Sequence, residues 1–371
     1  MKFSFKALLL FALAFALAPP AAAQAARGQT PAAEDFALER RADAEPKAVV
    51  SLCITSGDVI VRGWDRSEVR ARIHDAGTLR LLTPNVRPAP RVEVLVSEDR
   101  DEELDAGRCG SNERVELMVP RGATVDVESR NGHVEVADVA GARVRVLSGD
   151  VNVRRVSESV EVSCLSGDVS VEDTSGPVRV VTVSGDVEAR NVRRVASGDN
   201  FEARSTSGDV TLEGVAHGQV SGAAVSGQVL YTGSLARGGS YDFSTISGDV
   251  MMELPGDSSF TIHAKVVVSG EIDTDFPVRI APGGHATPAP DPPGTPAPTP
   301  APAPRPRPGR TPAPAPNPAP MPPDLPKPGK VKVKVRTSGE PTSARLDGTV
   351  GTGDAVVNLS SFSGSLFLRK R

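Results

Sequence analysis

Between Val144 and Leu212 apolar and polar residues alternate in short runs, each broken at the same tripeptide. The runs read V-R-V-L-S-G-D-V-N-V, then V-E-V-S-C-L-S-G-D-V-S-V, then V-R-V-V-T-V-S-G-D-V-E-A. Period-two alternation of β-branched residues marks a half-buried strand. Val178, Val180 and Thr182 share one face, and Val187 and Ala189 continue it beyond the turn. Ser-Gly-Asp starts at Ser148, Ser166 and Ser184, 18 residues apart. It returns at Ser197, Ser207 and Ser247, with S-G-Q at Ser226, S-G-E at Ser269 and an early copy at Ser56. A repeat of about 20 residues marks units that bury their apolar faces only by stacking on one another.

Glycine tolerates positive φ, and Ser and Asp side chains bond the local backbone, so each tripeptide is a turn. The repeat therefore predicts a ladder of turn residues: Gly57, Asp58, Gly149, Asp150, Gly167, Asp168, Gly185, Asp186, Gly208, Asp209, Gly248 and Asp249. The residue before each Ser (Leu147, Leu165, Val183, Ile246, Val268) is apolar and breaks the alternation. A strand bending round a corner with its side chains still aimed at the core requires such a break. A second corner falls near Arg155, Thr174 or Arg193. The expected fold is all-β, a single-domain β-solenoid of stacked short strands. An antiparallel β-sandwich also suits short strands with regular turns, but gives no reason for the turns to share one tripeptide.

Stacked aspartates would lie about 4.8 Å apart, the spacing of neighbouring strands. Unpaired charges at that distance repel, so each carboxylate must accept backbone N–H bonds or share cations. The G-G-x-G-x-D repeat of calcium β-rolls is absent. Turn capping is the expected role, with no cofactor and no metal site.

The rest of the chain sets compartment and boundaries. Residues 1–23 read as a signal peptide: Lys2 and Lys6, an apolar run from Ala7 to Ala18, then Ala21-Ala22-Ala23. That run is too short for the roughly 20 residues that span a bilayer. Residues 24–46, rich in Ala, Glu and Arg, read as a mobile leader, and residues 75–90, with Pro84, Pro88 and Pro90, as a loop. The repeat domain is expected over 47–280. Residues 281–329 form a Pro-rich disordered insertion; the stretch from Ala281 to Lys330 holds 21 of the 33 prolines. Residues 330–371 are expected to complete the same β domain and to cap the open edge of its last coil. Cys164 sits two before its Ser, where other units carry Val146, Thr182 and Thr245. It reads as a buried small residue, which leaves Cys53 and Cys109 as the candidate disulfide in an oxidising compartment.

Three motifs in order carry a resemblance: G-D-V-I-V-R-G-W-D, then V-E-L-M-V-P-R-G, then the serial S-G-D-V units, with L-D-G-T-V-G-T-G-D-A-V-V-N-L-S-S-F-S-G-S-L-F-L at the C-terminus. The order resembles the bacterial "putative adhesin" family, a domain-of-unknown-function group of exported β-strand-repeat proteins. The resemblance implies a solenoid-like fold and an envelope location, and offers no catalytic residues to carry over.

Net charge of -4 with a pI near 5.9 argues against nucleic acid. Aromatic content of 4% is low for a carbohydrate groove. The five histidines share no motif, and no G-x-S-x-G or H-E-x-x-H occurs. The sequence thus points to a non-catalytic exported protein that meets an envelope protein or polymer, does not span the membrane, and can self-associate through its solenoid ends. A β-helix polysaccharide lyase or hydrolase working with paired carboxylates, and a self-assembling scaffold, are the alternatives.

Overall fold

The computed structural model describes residues 36–99, 109–280, 331–335 and 343–371. The expected signal peptide, the expected Pro-rich insertion and most of the expected leader lie outside the described residues. What is described is all β, with 25 strands in one continuous hydrogen-bonded array.

One unit is a strand, Gly141–Ser148, a corner, and a shorter strand, Val151–Arg154. Ala142, Val144 and Val146 point inward from the first strand and Val151 and Val153 from the second, all 5% exposed or less. Each unit pairs in parallel with the next: Val144 lies beside Val162, Val180, Ala203, Gly222, Phe243 and Leu359 in turn. The shorter strands make a second parallel sheet, with Val151, Val169, Val187, Val210, Val229, Val250 and Leu366 in one row. The core is the seam between the two sheets. Burying each valine stabilises the fold by roughly 1.5–3 kcal/mol, and no unit closes that seam alone. Volume is conserved along a row: Gly222 leaves room for Phe243, whose Cδ1 lies 2.9 Å from where a Cβ would sit. The chain returns to the first sheet through a second corner, where Asp138, Arg155, Asp173 and Asn191 hold φ between 51° and 61°. Asp and Asn occupy that left-handed region more readily than other side chains, and Arg155 does so at a cost.

Stacking order differs from chain order at both ends. Leu38–Trp64 forms a coil that lies between the Thr124–Ala137 unit and a pair of strands later in sequence, Ala89–Ser97 and Gly110–Pro120. At the other end Val356–Ser363 and Leu366–Lys370 sit between the Ser240–Leu254 unit and Phe260–Thr274. The last strands in sequence therefore do not cap the stack; they fill its penultimate coil. Capping falls to antiparallel strands: Ala344–Val350 and Val331–Val335 on Phe260–Thr274, Thr78–Leu82 on Ala89–Ser97, and Glu68–Ile73 on Gly110–Pro120. An antiparallel strand breaks the register that a further parallel coil would need, which protects an edge.

Two boundaries need correction. The leader expected to be mobile as far as residue 46 is a strand from Leu38, and residues 38–43 pair with 68–73. The ion pair Arg72–Glu39 at 2.7 Å and the burial of Ala44 hold it there. Its short alanines and outward charges concealed the alternation. Within the expected loop 75–90, Thr78–Leu82 is a strand.

Deleting residues 351–371 should leave a gap between two parallel coils rather than a frayed end. The variant is expected to lose cooperative thermal unfolding by circular dichroism and to aggregate on gel filtration. A second test concerns His217, which is 0% exposed, packs on Phe201 and holds its Nε2 2.9 Å from the Gly176 carbonyl. Burial pushes its pKa below the ordinary value, Asp199 opposing this and Arg194 adding to it. The unfolded chain therefore gains the proton first on acidification, so stability is full above about pH 6.5 and declines as pH falls through it. His217→Gln should flatten that part of the stability profile in denaturant titrations.

Candidate functional site

The first corner of every coil stacks directly on its neighbours. Gly149, Gly167, Gly185, Gly208 and Gly248 hold φ between 134° and 147°, a region L side chains rarely enter. A Cβ on Gly167 would fall 2.2 Å from the carbonyl oxygen of Gly149, and one on Gly185 2.1 Å from that of Gly167. The glycine is thus required by conformation and by contact.

Each ladder carboxylate is committed to the coil above it. Asp150 Oδ1 accepts the N–H of Asp168 at 3.0 Å, Asp168 Oδ1 that of Asp186 at 2.8 Å, and Asp186 Oδ1 that of Asp209 at 2.8 Å. Asp58 accepts from His133 N–H, Asp209 from Gln228 N–H, and Asp249 from Ser365 N–H. Running the other way, Gly149 N–H donates to the Ser166 carbonyl at 2.9 Å and Gly167 N–H to that of Ser184 at 2.8 Å. A third column closes the corner: Thr182, Ser205 and Thr245 hydroxyls donate to the carbonyls of Gly167, Gly185 and Gly227. Cys164 Sγ takes the same place, 3.5 Å from the Gly149 carbonyl. The thiol is buried and free, and burial raises its pKa. Cys53 and Cys109 are joined in a disulfide with Cα atoms 4.5 Å apart, tying the first Ser-Gly-Asp coil to the outermost one.

His133, Gln228 and Ser365 also occupy the ladder. Their tripeptides, N-G-H, S-G-Q and S-G-S, keep the central glycine, and that was the available signal. Ser197-Gly198-Asp199 carries the full tripeptide yet stands outside the ladder. Asp199 instead caps the N–H groups of Val195 and Ala196 at 2.6 and 2.7 Å within the second corner. No strand precedes it, so nothing delivers it to the stack.

The groove along the ladder, about 640 Å³, is open and lined by Asp58, His133, Asp150, Asp168, Asp186 and Asp209. Among the described residues no group of three or more His, Cys, Asp or Glu side chains is arranged to hold a metal ion. No helix of the described residues is long and apolar enough to cross a membrane.

The residues before each Ser do not aim at the core. Leu147, Leu165, Val183, Val225, Ile246 and Phe362 are 40–52% exposed and form a column on the outer face of the first sheet, interrupted by Thr206. The reason is plain pleat geometry: the residue before the corner still belongs to the strand, and alternation puts it outside. The small Ala223, Ser244 and Ser360 flank the C-terminal half of the column, which makes the face flat and shallow.

Parallel coils, a glycine–aspartate corner and antiparallel end strands define a β-solenoid domain. The Toastrack DUF4097 family matches residues 89–281, just over half of the chain, and the chain belongs to that family. No curated protein matches it. Among solved structures, one titled "putative cell adhesion protein" from Clostridium sporogenes ATCC 15579 aligns over 90% of this chain and 99% of its own, at 8% identity and a TM-score of 0.21. At that score the likeness carries no argument about this chain.

The corner geometry orders two substitutions. Gly185→Ala meets both strain and a backbone carbonyl and should cost about 3 kcal/mol. Asp186→Ala loses one hydrogen bond at an exposed N–H and should cost about 1 kcal/mol. Chemical denaturation of the two variants checks the order.

Proposed function

We propose that this protein is a non-catalytic exported module that presents its solenoid surface for adhesion or interaction with other components of the cell envelope, including a role in sensing envelope stress. The observation that carries this reading is the exposed apolar column from Leu147 to Phe362. Scattered surface hydrophobics are ordinary, but apolar residues lined up on one flat sheet face, three on one side of Thr206 and three on the other, suit a contact surface. Rigid parallel strands hold that row at fixed spacing, so a partner meets it with little ordering cost on this side. The commitment of the ladder carboxylates to backbone N–H groups supports binding over turnover, because general acid–base work needs carboxyl groups poised on substrate.

Isolated envelope material, incubated with the purified chain and sedimented, provides the test. A Leu165→Asp, Val183→Asp, Ile246→Asp variant should fold as the parent does and lose about 10-fold in retention, the equivalent of a few well-buried side chains at an interface. Equal retention of the variant would falsify the reading. Release of reducing ends or unsaturated sugars would favour the lyase or hydrolase instead. Concentration-dependent filaments, abolished by the same substitutions, would favour the self-assembling scaffold.

A further inference from the structure

The outer face of the second sheet carries a different kind of surface at its N-terminal end. Arg62 and Arg70 lie in register on either side of Met118, with Arg41 beyond Arg70. Trp64 projects from the same face, and its Nε1 donates to the Glu68 carbonyl at 2.8 Å, which fixes the ring. The guanidinium carbons of Arg66 and Arg70 lie 5.0 and 4.8 Å from the ring centroid.

Of the nearby carboxylates, Glu39, Asp65 and Asp138 are engaged by other arginines, while Glu68 Oε1 is buried without a hydrogen bond and Glu116 lies opposite Arg72. Glu39 accepts from Arg41 and Arg72, each at 2.7 Å, and Glu68 lies 4.0 Å from Arg41. Asp65 accepts from Arg121, and Asp138 from Arg121 and Arg155. Among the described residues Arg62, Arg66 and Arg70 hold no carboxylate, and the Arg70 Nε is buried without any acceptor. Burial, and then the neighbouring Arg72, draw the Arg70 pKa below the ordinary guanidinium value. A desolvated cation beside like charges is unfavourable unless an anion joins it.

We propose that Arg62, Arg66 and Arg70 around Trp64 form a binding site for an anionic group of the phosphate or sulfate type, carried on an envelope polymer or a lipid headgroup. Guanidinium forks match the oxygens of such groups in paired hydrogen bonds. The indole holds two of the forks beside its ring by cation–π attraction and excludes water from one side, strengthening the pairing. The site lies on the sheet opposite the apolar column and stands independently of the adhesion reading.

Trp64 is the chain's single tryptophan, so its emission reports on this site alone. The full chain is titrated with inorganic pyrophosphate, sulfated dextran and phosphatidylglycerol vesicles, with neutral dextran and phosphatidylcholine vesicles as controls. A saturable emission change with the anionic probes and none with the neutral ones is expected. Stronger response to dextran sulfate assigns the group to a polymer, and stronger response to vesicles assigns it to a headgroup. The Arg66→Gln, Arg70→Gln double variant should bind about 10-fold more weakly, the loss expected for charge-assisted pairs. Lys265→Gln, on the other sheet, should bind unchanged. If thermal unfolding shows the double variant misfolded, Arg66→Gln, in an exposed turn, carries the same comparison. No saturable change with any anionic probe, or undiminished affinity in the arginine variants, overturns the proposal.

Discussion

Everything in this fold depends on how closely one backbone corner can approach the next. Adjacent coils are held at the strand spacing of about 4.8 Å. At that distance the corner residue of one coil meets the carbonyl of the residue beneath it, and a Cβ on Gly167 or Gly185 would sit about 2 Å from that oxygen. Glycine is therefore repeated because the stack is repeated. The same closeness lets a carboxylate on one coil reach the N–H of the next, so Asp follows Gly for a reason set by the same distance. Corner N–H and carbonyl groups that a bend would leave unpaired are thereby satisfied along the stack.

That constraint also decides where the surface chemistry lies. With corners committed to holding the stack, the carboxylate ladder is structural, and the faces between corners are free to vary. One face carries alternating ion pairs, such as Arg143–Glu161 at 2.8 Å, and an apolar column at its edge. The other carries cross-coil pairs such as Arg190 with Glu172 and Glu213, and the arginines around Trp64 at one end. Exposed pairs of this kind contribute about 0–1 kcal/mol each, so their pattern affects stability little.

The ends show how a parallel solenoid stops. A parallel edge invites another coil, and both termini respond by threading one coil out of sequence order and covering the outside with antiparallel strands. The disulfide between Cys53 and Cys109 joins the out-of-order coil to its neighbour at the N-terminal end. At the C-terminal end the chain leaves after Ile280 and returns at Val331 to supply first the cap and then the coil beneath it.

The sequence by itself determined the unit: alternating valines gave the strands, and the recurring glycine gave the corner, because both depend on contacts a few residues apart or one repeat away. Cys164, Thr182 and Thr245 are legible as one column for the same reason. It did not determine the stacking order. Nothing local to Val356–Ser363 distinguishes a coil that caps from one that intercalates, since both bury the same face; only the competition of Ser240–Ser247 and Phe260–Thr274 for its two edges decides it. An apolar residue at a bend signals burial by composition, whereas the pleat turns Leu147 and Leu165 outward. Ser197-Gly198-Asp199 shows the converse: the tripeptide is present, and without a strand to carry it to the stack it caps a local turn. The arginines around Trp64 were separate charges in the sequence; antiparallel pairing of Glu68–Ile73 with Gly110–Pro120 gathers them, because register across strands, not spacing along the chain, sets which side chains share a surface.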